Sequence, residues 1–289
     1  MRTGTSDSSS GRAARPLTTP RTLLLVALAA LTLATLHHAS AATAQELAST
    51  STPMHHSHGQ SRSPDVSVAG RWASLTHQTS ISTPAVIGEV TTVTRTWAIV
   101  TMEQRGAHVE LSQQVCSIDV NTSSRGVRTI IPSAFLRAID RSARPAVLRR
   151  TDRGYELSVE RRLSVLGARL DDPERARLPE HRDDVRVFDH DRDGNPGVTV
   201  RVRGIARGDI YLVQRAWSEM TGALVGNDRI EGNVRWGEES SIIGASNPVL
   251  RMQPDTRPAE SADQNFFRMV RVSDTFSCDD LLSQRERLF

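Results

Sequence analysis

Arg229-Ile230-Glu231-Gly232-Asn233-Val234-Arg235-Trp236 alternates without a break: Ile230, Gly232, Val234 and Trp236 share one side, and Arg229, Glu231, Asn233 and Arg235 the other. Successive side chains of a strand point to opposite faces, so the segment reads as a strand with one face buried and one wet. Strand-like patterning recurs on both sides of it, over 66–79, 89–103, 107–120, 126–131, 145–151, 155–163, 184–188, 198–204, 209–218, 248–253 and 265–276. Turn chemistry falls between these runs, at Gln104-Arg105-Gly106, Asp152-Arg153-Gly154, Asp193-Gly194 and Gly226-Asn227. Helix is scarce: Ser133 to Ile139 reads as a short one after Pro132, opened by a Ser133 cap, and 161–181 is irregular and highly charged. The fold class is therefore all-β. An antiparallel up-and-down barrel of about ten strands is expected, with a two-sheet β-sandwich as the alternative.

The N-terminus carries a different message. Arg2, Arg12, Arg15 and Arg21 stand against one acid, Asp7, and are followed by the uncharged run Leu23 to Leu36. This is the layout of a secretory signal, with an apolar segment too short for a comfortable membrane span. Ala42-Thr43-Ala44 supplies the small-residue cleavage site and Ala39-Ser40-Ala41 the alternative, so residues 1–44 are read as a signal peptide and the protein as exported, periplasmic or extracellular. Residues 45–64 are polar, hold His55, His56 and His58, and read as a disordered leader; residues 65–289 form a single domain.

Charge confirms how little the basic character means. The chain has 36 Lys+Arg against 33 Asp+Glu, and the signal segment accounts for the excess, so the exported part is formally neutral. Every basic residue is arginine, and no aromatic cluster lies among them, which removes the usual support for nucleic-acid binding.

The one stretch whose spacing points to a ligand is Asp189-His190-Asp191-Arg192-Asp193-Gly194-Asn195-Pro196-Gly197. Oxygens at positions 1, 3 and 5, followed by a glycine at 6, can wrap a hard divalent cation. Pro196 stands at position 8, and Val200 at position 12 where a bidentate glutamate belongs. The segment thus resembles the first half of an EF-hand-type calcium loop, carried between strands on a hairpin instead of between helices. The resemblance implies Asp189, Asp191 and Asp193 as side-chain ligands, Asn195 as a carbonyl ligand, and calcium as the ion. The remaining oxygens would come from water or a distant carboxylate, giving a dissociation constant of about 0.1 to 1 mM. His190, among carboxylates, is expected to favour its charged form.

Cys116 and Cys278 are an even pair in an exported chain and are read as one disulfide, tying the last strand to an early one. Gly70-Arg71-Trp72 resembles the lipocalin G-x-W signature, which implies a tryptophan plugging one end of a barrel; a small apolar or amphipathic ligand is expected if the interior is open. An outer-membrane barrel is disfavoured by 4% aromatics and by the charged tail Gln284-Arg285-Glu286-Arg287. No nucleophile elbow, zinc helix, P-loop or dinucleotide fingerprint is found, and the adjacent acids Asp183-Asp184 and Asp279-Asp280 would point to opposite faces of a strand. The reading is a secreted, non-enzymatic β-barrel module with a calcium-steadied hairpin. A structural or adhesive surface protein and an extracytoplasmic hydrolase are the alternatives.

Overall fold

A computed structural model describes residues 66–83, 89–124, 126–139, 141–252 and 255–289. The expected signal peptide and leader lie outside the described residues. The strands are β1 (Gly70–Ser82), β2 (Val90–Arg105), β3 (His108–Thr122), β4 (Val127–Ile130), β5 (Arg144–Thr151), β6 (Gly154–Leu166), β7 (Val198–Gly204), β8 (Gly208–Val225), β9 (Arg229–Ala245), β10 (Thr256–Pro258) and β11 (Asn265–Val272). Among the described residues two α-helices accompany them, α1 (Ser133–Ala138) and α2 (Cys278–Leu288).

All eleven strands belong to one antiparallel sheet that closes into a ring. Going round, β1, β2, β3, β5, β6, β8, β9 and β11 pair in turn, and β11 returns to β1. The order rises almost steadily along the chain, which is the up-and-down arrangement; one continuous sheet leaves no room for the two-sheet sandwich. β8 is long enough to serve two neighbours on one side, β6 along its second half and β7 along Gly208–Leu212, and β4 extends the sheet beyond β7. β10 and β11 both run against β1, interrupted by a short excursion.

Period two explains the interior. Along β8 the buried inward residues read Ile210, Leu212, Gln214, Ala216, Ser218 and Met220, large and apolar at both ends with the polar Gln214 and Ser218 between. Ile210 and Leu212 join Ile118, Val200, Val202, Phe135 and Leu250 in one apolar cluster. Met220 joins Trp72, Met102, Leu157, Ile230, Val234, Trp236 and Phe267 in another. Between the two lies a polar waist that includes the buried Ser74, Gln78, Thr94, Ser164 and Arg144. Arg144 Nη2 donates to the carbonyls of Glu160 and Ser218 at 3.0 and 2.9 Å. Burial, aided by the charge of Arg162, pushes its pKa down to about 10.

The β9 stretch behaves as its alternation requires: Ile230, Val234 and Trp236 are 0%, 3% and 4% exposed. They join the buried apolar cluster of Trp72 and Phe267, and Trp236 also borders a groove at the ring wall. Trp72 is fully buried near the start of β1, donates to Val68 O at 2.9 Å, and carries the Arg271 guanidinium 4.4 Å over its ring.

Four local expectations need correcting. Residues 184–188 form turns, not a strand, because Asp184 accepts from the Arg186 backbone and guanidinium and closes the chain on itself. Pro248–Arg251 is a single 3-10 turn capped by Asn247, where a strand was expected over 248–253, and β10 follows it. At the start of α1 the capping position is Pro132, with no side-chain cap. The chain ends on α2 after its last strand, so Cys278 opens a helix.

Candidate metal centre

The Asp189–Gly197 loop lies in the long crossing from β6 to β7, and it is not the tip of a hairpin. Its entry leg makes only an isolated bridge, Val187 with Ala168, and its two ends meet through His190 N to Gly197 O at 2.9 Å and Gly197 N to Phe188 O at 3.0 Å. Tight turning requires left-handed backbone at Arg192 (φ 57°) and Gly194 (φ 88°). Gly197 (φ 81°) is also left-handed, and a Cβ there would fall 2.4 Å from the Leu212 carbonyl of β8. The loop is thereby pressed against the ring wall.

Within it, the expected aspartates come together. One ligand oxygen from each of Asp189, Asp191 and Asp193 lies within 4.8 Å of the others. Asp189 is occupied with shaping the turn, accepting from Asp193 N at 3.1 Å and Gly194 N at 2.9 Å. Asp193 accepts from Asn195, through the backbone N at 2.9 Å and the side-chain Nδ2 at 3.2 Å. Asn195 therefore steadies Asp193 through its amide.

Asp191 differs from both. It is 6% exposed, its Oδ2 accepts from Thr199 N at 3.1 Å at the start of β7, and its Oδ1 is buried with no partner. A buried carboxylate oxygen without a donor is costly, by about 1–3 kcal/mol or more for a charged group. Burial, with the nearby charges of Asp193 and Asp189 adding to it, pushes the Asp191 carboxyl up to about 6 although the Thr199 N–H pulls the other way. An orphaned buried oxygen among converging carboxylates is what a cation-binding loop leaves when only protein atoms are considered. The donor set fits a hard divalent ion, and its chemistry would be charge neutralisation and cross-linking of the turn.

His190 corrects the expectation of a charged imidazole. Burial holds its pKa below the ordinary value and outweighs the Asp189 charge. Its Nδ1 accepts from Gly167 N at 3.1 Å, which needs a neutral ring, and the ring stacks on Phe188 at 5.0 Å. Gly167 itself packs against Gly197, where a Cβ would lie 2.8 Å from the Gly197 Cα. Spacing within nine residues could not announce these contacts, because Gly167, Thr199 and Leu212 reach the loop only through the fold.

Cys116 of β3 and Cys278 at the start of α2 form the expected disulfide, with Cα atoms 5.3 Å apart. The bond joins β3 to the terminal helix and not to the last strand. Asp279 and Asp280 accordingly sit on a helix, where Asp280 closes a capping box with Ser277. Among the described residues no helix is long and apolar enough to cross a membrane. Compared with family models, with curated proteins and with solved structures, the chain matches none.

Proposed function

We propose that this chain is an exported, non-enzymatic binding or scaffold module whose Asp189–Gly197 loop holds calcium as a structural ion. The observation that carries the metal reading is Asp191 Oδ1, buried and without a donor, on a carboxyl group that converges with those of Asp189 and Asp193. Calcium suits three carboxylates that leave further positions to water and carbonyl oxygens, and an affinity near the millimolar end matches an extracytoplasmic setting. The ion would fasten the β6 to β7 crossing to Thr199, at the foot of β7. Export rests on the signal-like N-terminus together with the disulfide. The large buried side chains of both apolar clusters favour an open groove at the ring wall over an enclosed apolar cavity as the place of binding.

Thermal unfolding of the chain from residue 45 onward tests the metal reading. Millimolar calcium is expected to raise the melting temperature, EDTA to reverse the gain, and the Asp191→Ala/Asp193→Ala double variant to abolish it. A wild-type melting temperature indifferent to both calcium and EDTA refutes the site.

A further inference from the structure

β11 covers β9 only over Arg229–Asn233, and β10 pairs with β1 at Ser80–Ser82. Beyond Asn233, then, β9 and β10 face each other across a seam of the ring with no ladder between them. A groove of about 530 Å³ opens along this seam, with Trp217, Trp236 and Gly237 on one side and Thr256, Arg257 and Pro258 on the other. A second groove of about 440 Å³ adjoins it and shares Trp217, Trp236 and Pro258. Both volumes are in the range of small-ligand sites.

The lining has a definite chemistry. Trp217 lies across Gly237, where a Cβ would fall 2.6 Å from the indole Nε1, so the glycine is what lets the ring rest on the sheet. The Arg161 guanidinium stands 4.9 Å from the ring centroid. Trp217 is only half-buried, and its Nε1 donates to no described residue. Around the ring the charges balance: Arg161, Arg215 and Arg257 against Glu174, Glu238 and Glu239. Arg161 pairs with Glu174 at 3.0 Å, Arg215 pairs with Glu239, and Glu238 accepts from Gln214 at 2.7 Å. Arg257 has Glu260 at 3.8 Å.

From this arrangement we propose that the seam between β9 and β10 binds a neutral oligosaccharide. A groove lined by three arginines and three glutamates has no net formal charge with which to select an ion. Its fixed guanidinium and carboxylate groups keep spare N–H donors and lone pairs, set in planes that suit hydroxyl pairs. The electron-rich face and free N–H of Trp217 offer an apolar platform with a polar edge, matching the C–H face and hydroxyl rim of a pyranose. The inference rests on reading the chain as a binding module, and does not depend on the metal.

The test is calorimetric titration with maltotriose, cellotriose, mannotriose and chitotriose, each run in calcium and in EDTA. Saturable binding of at least one is expected, with Trp217→Ala weakening it by about tenfold or more. Arg257→Met, at an exposed position of β10, should weaken it too while leaving the melting temperature unchanged, which separates lost contact from lost fold. No saturable heat with any of the four overturns the proposal, as does binding that survives both variants unaltered. Equal affinity for a trigalacturonate probe overturns the assignment to a neutral ligand. The calcium melting experiment reads the loop alone, so the two failures are distinguishable.

Discussion

Gly232 shows how a single residue is decided by neighbours far away in the chain. It faces Gly222 across the β8–β9 ladder, and a Cβ at 232 would fall 2.1 Å from Thr221 O and 2.3 Å from the Gly222 Cα. A Cβ at 222 would instead strike Phe267 Cζ at 2.6 Å, so the ring of Phe267 occupies the room that the absent side chain at 222 leaves. Gly232→Ala is expected to cost at least about 1–3 kcal/mol, as overpacking against backbone does, read as a lowered urea midpoint with an unchanged slope. Alternation alone placed Gly232 on the buried face beside Ile230 and Val234; it gave no hint that the position must be glycine. The same division holds in the acidic loop. Asp189, Asp191 and Asp193 were recognisable from their spacing, because a turn keeps close neighbours together. The orphaned oxygen of Asp191 and the neutral ring of His190 were not, since both follow from burial against β7, β8 and Gly167.

At the scale of elements, long alternating strands were legible and short or irregular ones were not. The run at 184–188 has the composition of a strand, but the Asp184 side chain offers its backbone a local partner and the segment turns. Helix α2 was missed because Leu281 is its only buried residue, so the apolar face is too narrow to stand out among charges. What starts it is the reciprocal cap: Ser277 Oγ accepts from Asp280 N at 3.2 Å, and Asp280 Oδ2 accepts from Ser277 N at 2.9 Å. Ser277→Ala should therefore cost about 1 kcal/mol at neutral pH. The hydroxyl and backbone N–H of Ser277 hold the Asp280 carboxyl below its ordinary value. Because the folded pKa is the lower one, that stabilisation is present above the unfolded value near pH 4 and is lost as pH falls through the folded one. The gap between wild type and variant in urea unfolding is expected to be widest at pH 7 and to narrow below about pH 4.

On the scale of the whole molecule, α2 covers part of the outer face of the ring, where Leu281 packs with Ala73, Leu75, Trp97 and Ile99. Arg285 bonds Asp119 at 3.0 Å and lies over the Trp97 ring, and the disulfide holds the other end of the helix. Closing a loop of 162 residues is worth up to about 5 kcal/mol in the chain-entropy model. The Cys116→Ser/Cys278→Ser variant is expected to lose most of that in urea unfolding, and unreduced peptide digests of the wild type should show the two cysteines linked. The ring has a further consequence in time. Arg71 pairs with Val272, so the first strand of the ring cannot be closed until nearly the whole chain has been made. Until then β1 presents an open edge bearing Trp72 and Leu75. Pairings so distant in sequence make for slow folding, on a scale of about milliseconds to seconds, and leave that edge free to join another copy of itself. A chain of this design is most vulnerable to aggregation between synthesis and closure, and least so once β11 has arrived.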